Sequence, residues 1–328
     1  MTKRERILAA LGRKPVDRLP VAFWRHVPEV DHTARGLADA MLAFQRRWDL
    51  DLIKVMSSGV YCVEDWGCRV AYQGSPNGAK TCTQHAVRQV SDWARLKPLD
   101  PGQGALGREL EALRLILAGR SDDVPVFHTV FSPLTIARKL AGDRLAEDLR
   151  DNPAAVMAAL EVIADTVIRY AGAVAKTGAE GIFYASQDAS PDVMSQADHG
   201  KFAMPYSRRV LESLKGVPIV TMLHVHGQRI YFDQKATLPV AAINWHDRLT
   251  APSLGDALER FAGAAVGGLG EKDVLLKGPP SAVTAQALDA VRQSRGTGVI
   301  VAPGCVLPLA TPDENLEAAV TAVKGARL

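Results

Sequence analysis

The chain of 328 residues lacks any apolar run long enough to cross a bilayer; a spanning helix needs roughly 20 such residues. A membrane protein is therefore not expected. The N-terminus, MTKRERILAALGRKP, has no apolar core before a small-residue cleavage site, so no signal peptide is read and the cytoplasm is the expected compartment. Cysteine is scarce. The four (Cys62, Cys68, Cys82, Cys305) form no CxxC pair, and without an export signal they are expected as free thiols or ligands rather than disulfides. Charge of one sign is also lacking: Lys+Arg 39 against Asp+Glu 36 leaves +3. With no basic block, nucleic acid is not an expected partner. The first strand-like run is followed by AFWRHVPE rather than a glycine-rich phosphate loop, which disfavours a dinucleotide-binding sheet. No internal repeat and no low-complexity segment is present.

What remains is ordinary globular composition, 47% hydrophobic and 23% charged. Short β-branched runs alternate with Ala/Leu/Arg-rich stretches. Strands are expected at Arg18–Trp24, Leu52–Met56, Val124–Val130, Gly181–Ala185, Pro218–His224, Val240–Trp245, Val274–Lys277 and Gly298–Ala302. Apolar residues at helical spacing mark Pro153–Ala175, Lys201–Leu214, Leu254–Ala264 and Ala282–Arg295 as helices. Eight strand–helix units argue for an α/β fold, a closed (β/α)8 TIM barrel with an N-terminal helical extension. One domain spanning 1–328 accommodates this. Residues 57–123 form an abnormally long connection between the second and third strands. We expect a hairpin there, folded as a lid over the barrel mouth, followed by a helix near Leu106–Ala118.

Barrel chemistry sits at the C-terminal ends of the strands. The run VPIVTMLHVHG ends in His224 and His226, and GVIVAPGC ends in Cys305. Residues i and i+2 of a strand point to one side, so the two imidazoles converge. With one thiolate they make an N, N, S set, which suits zinc with one position left open for chemistry. Other strand-end groups are Arg25, Ser186, Asp188, Trp245, His246 and Lys277. Glu64 lies in the lid. Arg25 and Lys277 are candidates to hold an anionic substrate, with Ser186 and Trp245 lining its pocket. Glu64, Asp188 and His246 are candidates for orienting or proton-transfer roles.

The motifs together resemble the uroporphyrinogen decarboxylase superfamily. TKRERILAALGRKPVDRLPVAF is similar to its opening helix and DR-x-PV strand. The resemblance continues through VFSPLTIARKLAG, GAEGIFYAS and VPIVTMLHVHG, and ends in VIVAPGCVLPLATPDENLEAAVTAV. It covers almost the whole chain and implies the (β/α)8 barrel and a homodimer. Departures separate the chain from true decarboxylases. Arg25 matches the first arginine of their MRQAGR segment, but Glu29 replaces the second. Ser58 stands where they place an aspartate, Lys139 where they place a tyrosine, and Cys305 where they place a histidine. The other branch comprises zinc methyltransferases that move a methyl group from a corrinoid protein to a thiol. His224 and Cys305 match that branch's ligand positions, and His226 replaces a cysteine. The resemblance thus implies bound Zn2+, a methylcobalamin or corrinoid-protein donor and a small-molecule acceptor. The alternative is a metal-free lyase with Arg25 and Lys277 clamping carboxylates and His224 or His246 donating a proton; zinc-bound hydroxide for hydrolysis is a third reading.

Overall fold

The computed structural model describes residues 1–121 and 123–327; Asp122, inside the 57–123 insertion, and Leu328 lie outside the described residues. Seven parallel strands form one sheet in the order β1 (Ile53–Val55), β4 (Val126–Phe131), β5 (Gly181–Ser186), β6 (Val220–Val225), β7 (Ala242–Trp245), β8 (Ala264–Leu269) and β9 (Val299–Pro303). An antiparallel pair, β2 (Arg69–Tyr72) and β3 (Lys80–Gln84), stands apart from it. The expected first strand closes the ring. Val301 N donates to Pro20 O and Ala22 N to Val301 O, while Asp51 N donates to Val21 O on the other flank. Pro20 has no N–H to give the ladder, and Val21 makes only a bridge to Val301. The fold is that of a TIM barrel.

Most of the barrel strands are buried from end to end, as expected when helices cover a parallel sheet. Interior positions alternate along each. Register places His224 beside Ala185 and beside Asn244; all three therefore face the barrel interior, and Trp245, one residue on, faces the outer helices. Trp245 is fully buried there against Phe232, its indole N–H bonded to Pro252 O.

Two expected boundaries are corrected. Val274–Lys277 is a short helix, not a strand: Asp273 Oδ1 accepts from Val274 N at its start, and Gly278-Pro279 ends it. The missing strand is β8, inside and beyond the expected helix Leu254–Ala264, which stops at Arg260. Its sequence, AAVGGL, has a single β-branched residue and two glycines, so intrinsic preference argued against a strand. Pairing with β7 and β9 overrides that preference.

The insertion carries the expected hairpin and a helix at Gly104–Gly119. The hairpin tip reaches loops at the barrel mouth. Leu309 N donates to Pro76 O, Lys80 pairs with the buried Asp31, and Gly78 packs on His26. Among the described residues, no helix is long and apolar enough to cross a membrane.

Candidate metal centre

At the C-terminal ends of β6 and β9, His224, His226 and Cys305 bring their donor atoms within 4.8 Å of one another. Cys305 Sγ lies 3.8 Å from His224 Nε2 and 3.6 Å from His226 Nδ1. Two local features build this. His226 N donates to Ser186 O and so extends the β5–β6 ladder to the second histidine. Gly304 lets the last turn close on β7: a Cβ there would lie 2.7 Å from His246 Cα and 2.9 Å from Trp245 O. Any side chain would push Cys305 away from the histidines.

The His224 tautomer is fixed by its neighbour. Asn244 Nδ2 donates to Val266 O (2.9 Å) and Pro303 O (3.1 Å), so its Oδ1 faces His224 Nδ1 at 2.6 Å as an acceptor. Nδ1 therefore carries the proton, and the Nε2 lone pair is directed at Cys305. Metal-binding histidines are typically oriented in this way by a partner on the other nitrogen. Phe183 stacks on His224 with centroids 5.3 Å apart. The donor set and the preset tautomer fit a zinc ion.

A third histidine joins them. His246 Nδ1 is 2.8 Å from Glu271 Oε1, and its Nε2 is 3.3 Å from His226 Nδ1. Burial lowers the affinity of His246 for a proton, but Cys305 and Glu271 outweigh it and push its pKa up to about 9. Burial likewise opposes the Cys305 thiolate, yet its contacts with the His224, His226 and His246 imidazoles hold its pKa well below the ordinary value. Burial lowers that of His224.

The remaining candidates spread out. Ser186 Oγ donates to Asp188 Oδ1 (2.5 Å), and Ser132 and Thr135 donate to Asp188 Oδ2. His199 and the fully buried Lys235 sit at 3.3 and 3.7 Å from Asp188 Oδ1. Asp188 is thus enclosed in its own network. Glu64 is held by Arg108 at 2.9 Å. Arg25 is half-buried over the Phe44 ring and makes no ion pair among the described residues. Lys277 is exposed at the end of its short helix. The open cleft beside His226 and His246, about 470 Å3, is lined instead by the cations Arg138 and Lys272, with Gln187 and Ser190.

The sequence reading missed several residues around the histidines. Asn244 is a polar interruption within β7, and Glu271 lies in the turn after β8. Lys54, on β1, is almost fully buried, its ammonium donating to Met56 Sδ and lying over the Phe183 ring at 4.6 Å. Burial drives its pKa down to about 7. A lysine inside the apolar run LIKVM was the available signal.

Fold and centre together define a barrel with a candidate metal centre on its strand ends. The family model described as uroporphyrinogen decarboxylase matches residues 2–326. The methylcobamide:CoM methyltransferase MtbA of Methanosarcina mazei is 26% identical, covering 99% of this chain and 98% of its own. MtbA of Methanosarcina acetivorans is 24% identical over 98% of both. The solved structure of a methyltransferase from Methanosarcina mazei superposes with a TM-score of 0.87 at 25% identity, covering 99% and 98%. The chain belongs to the uroporphyrinogen decarboxylase family, and within it stands with the methyltransferase branch.

Proposed function

We propose that this protein transfers a methyl group from a methyl-corrinoid, presented by a corrinoid protein at the barrel mouth, to the thiol or a similar group of a small acceptor, using zinc held by His224, His226 and Cys305. The observation that carries the reading is the convergence of those donors, with Asn244 directing the His224 lone pair at Cys305. The names of the methanogen relatives support the corrinoid donor. When bound, zinc would lower the pKa of an acceptor thiol at its open position, so that the thiolate forms near neutral pH.

The chain's own groups do the rest. The acceptor occupies the cleft beside His226, where Arg138 and Lys272 can hold an anionic tail. Arg25 remains a second candidate for that tail. In the transfer, a sulfur–carbon bond would form as the cobalt–carbon bond breaks, its electron pair staying with cobalt, and the thiol proton leaves to solvent through the open cleft. His246, anchored on Glu271 and already protonated at neutral pH, sets a positive charge at the edge of that cleft. Asp188 and Ser186 brace the end of β5, and with it the backbone of His226. Glu64, tied to Arg108, orients the lid.

The test is turnover of methylcobalamin with small thiols by zinc-loaded protein. Production of the S-methyl product, lost together with zinc in Cys305→Ser, is expected. Full activity in metal-free protein would end the proposal.

A further inference from the structure

A second set of soft donors lies in the lid, apart from the histidine centre. Cys68, at the start of the hairpin, Cys82 on β3 and His85 just beyond it bring ligand atoms within 4.8 Å of one another. All three point at one backbone oxygen. The Lys139 carbonyl, in the last turn of the helix Pro133–Ala141, is 2.9 Å from His85 Nδ1, 3.5 Å from Cys82 Sγ and 3.8 Å from Cys68 Sγ. One carbonyl oxygen offers two lone pairs. Three donors exceed that, and the thiols at these distances gain little from it. Simple capping of the helix end would be complete with His85 alone. The backbone also makes room for this histidine: Gly142 has φ +61, and a Cβ there would strike His85 Nε2 at 2.6 Å. Cys68 is buried, and Cys82 and His85 are half-buried, so the thiols are shielded without being sealed.

We propose that Cys68, Cys82 and His85 form a second metal site for a zinc-class divalent cation, with the Lys139 carbonyl oxygen as the nearest fourth donor. Two thiolates and an imidazole are the donors of structural zinc sites, whose ligands surround the ion at roughly 2.0–2.3 Å. The ligands come from the hairpin and the carbonyl from the barrel's helix. The ion therefore clamps the lid to the barrel. A two-stranded ribbon is marginal by itself, so the clamp has a job to do.

The test uses full-length Cys305→Ser protein, reduced and stripped of metal, so that the histidine centre lacks its thiol. Titration with Co2+ should give a thiolate-to-cobalt charge-transfer band that saturates near one equivalent. Adding Cys82→Ser to this background should abolish the band, and His85→Asn should weaken binding at least tenfold. Zinc should slow amide exchange in residues 69–84. Absence of the band from folded Cys305→Ser protein would overturn the proposal, as would its persistence in the Cys82→Ser variant. The same titration on the wild-type chain should saturate near two equivalents if both centres exist. Saturation near one, with the band kept in Cys305→Ser, would leave the lid site standing and remove the histidine centre instead.

Discussion

Lys54 is buried and makes no ion pair among the described residues, its charge resting on a thioether and an aromatic face. Replacing it by methionine, of similar length and apolar, should stabilise the protein. Its pKa falls from 10.5 to about 7 on folding, a difference of 3.5. At about 1.36 kcal/mol per unit, the charged lysine costs the fold on the order of 5 kcal/mol at and below neutral pH. The sign over pH follows from proton counts. Between pH 7 and 10.5 the unfolded chain holds a proton at this position that the folded chain has released, so wild-type stability rises with pH. Lys54→Met has no such group. The stability advantage of the variant should therefore be largest at and below pH 7 and shrink by roughly 2 kcal/mol by pH 9. Urea unfolding of both proteins at the two pH values measures this, and the difference between them cancels the titrating groups that do not interact with Lys54. A variant less stable than wild type at pH 7, or a pH-independent difference, would refute the reasoning. Methyl transfer by the stabilised variant should fall, because a charge kept at such a cost beneath Phe183 and His224 is kept for the site.

Asn244→Ala should weaken zinc binding at the histidine centre by about 10–100-fold, the usual effect of removing an orienting partner, whereas Asn244→Asp, which keeps an acceptor for His224 Nδ1, should retain more; chelator competition separates them. Asp188→Asn leaves Lys235 buried without its counter-charge and should destabilise the protein by about 3–5 kcal/mol in urea unfolding. Asp188 is held ionised well below the usual carboxylate range, where Lys235 and His199 overcome the effect of burial; its contribution is present above the unfolded pKa and is lost as acid protonates it, so the wild-type advantage should persist at neutral pH and fade only well below pH 4. Lys277→Ala, exposed on an outer helix, should leave KM unchanged, while Lys272→Ala at the cleft should raise it for an anionic thiol.

The centre was legible because its chemistry is concentrated in two short strings. HVH places two imidazoles on one face of a strand by alternation, and PGC places a thiol where β9 turns, brought onto them by the close approach at Gly304. The barrel was legible from the strand–helix alternation, except where local preference and tertiary pairing disagree: AAVGGL is a strand only because β7 and β9 flank it, and VLLK, apolar enough to read as a strand, is a helical turn started by Asp273. Lys277 was misplaced by that exchange. What the sequence hid was mostly register. Which way Asn244 and Trp245 face is set by pairing with β6 and β8, and that decides which one touches His224. The lid donors were hidden for a related reason: Cys68 and Cys82 meet only through the hairpin register and its irregularity at Arg69/Val70.

The central claim is that His224, His226 and Cys305 hold a zinc ion. The test is the zinc content of Cys82→Ser protein, in which only the histidine centre keeps its full ligand set, beside the same protein carrying Cys305→Ser, both purified without a histidine tag. About one zinc per chain is expected in the first and almost none in the second. Equal zinc in both, or none in either, would contradict it.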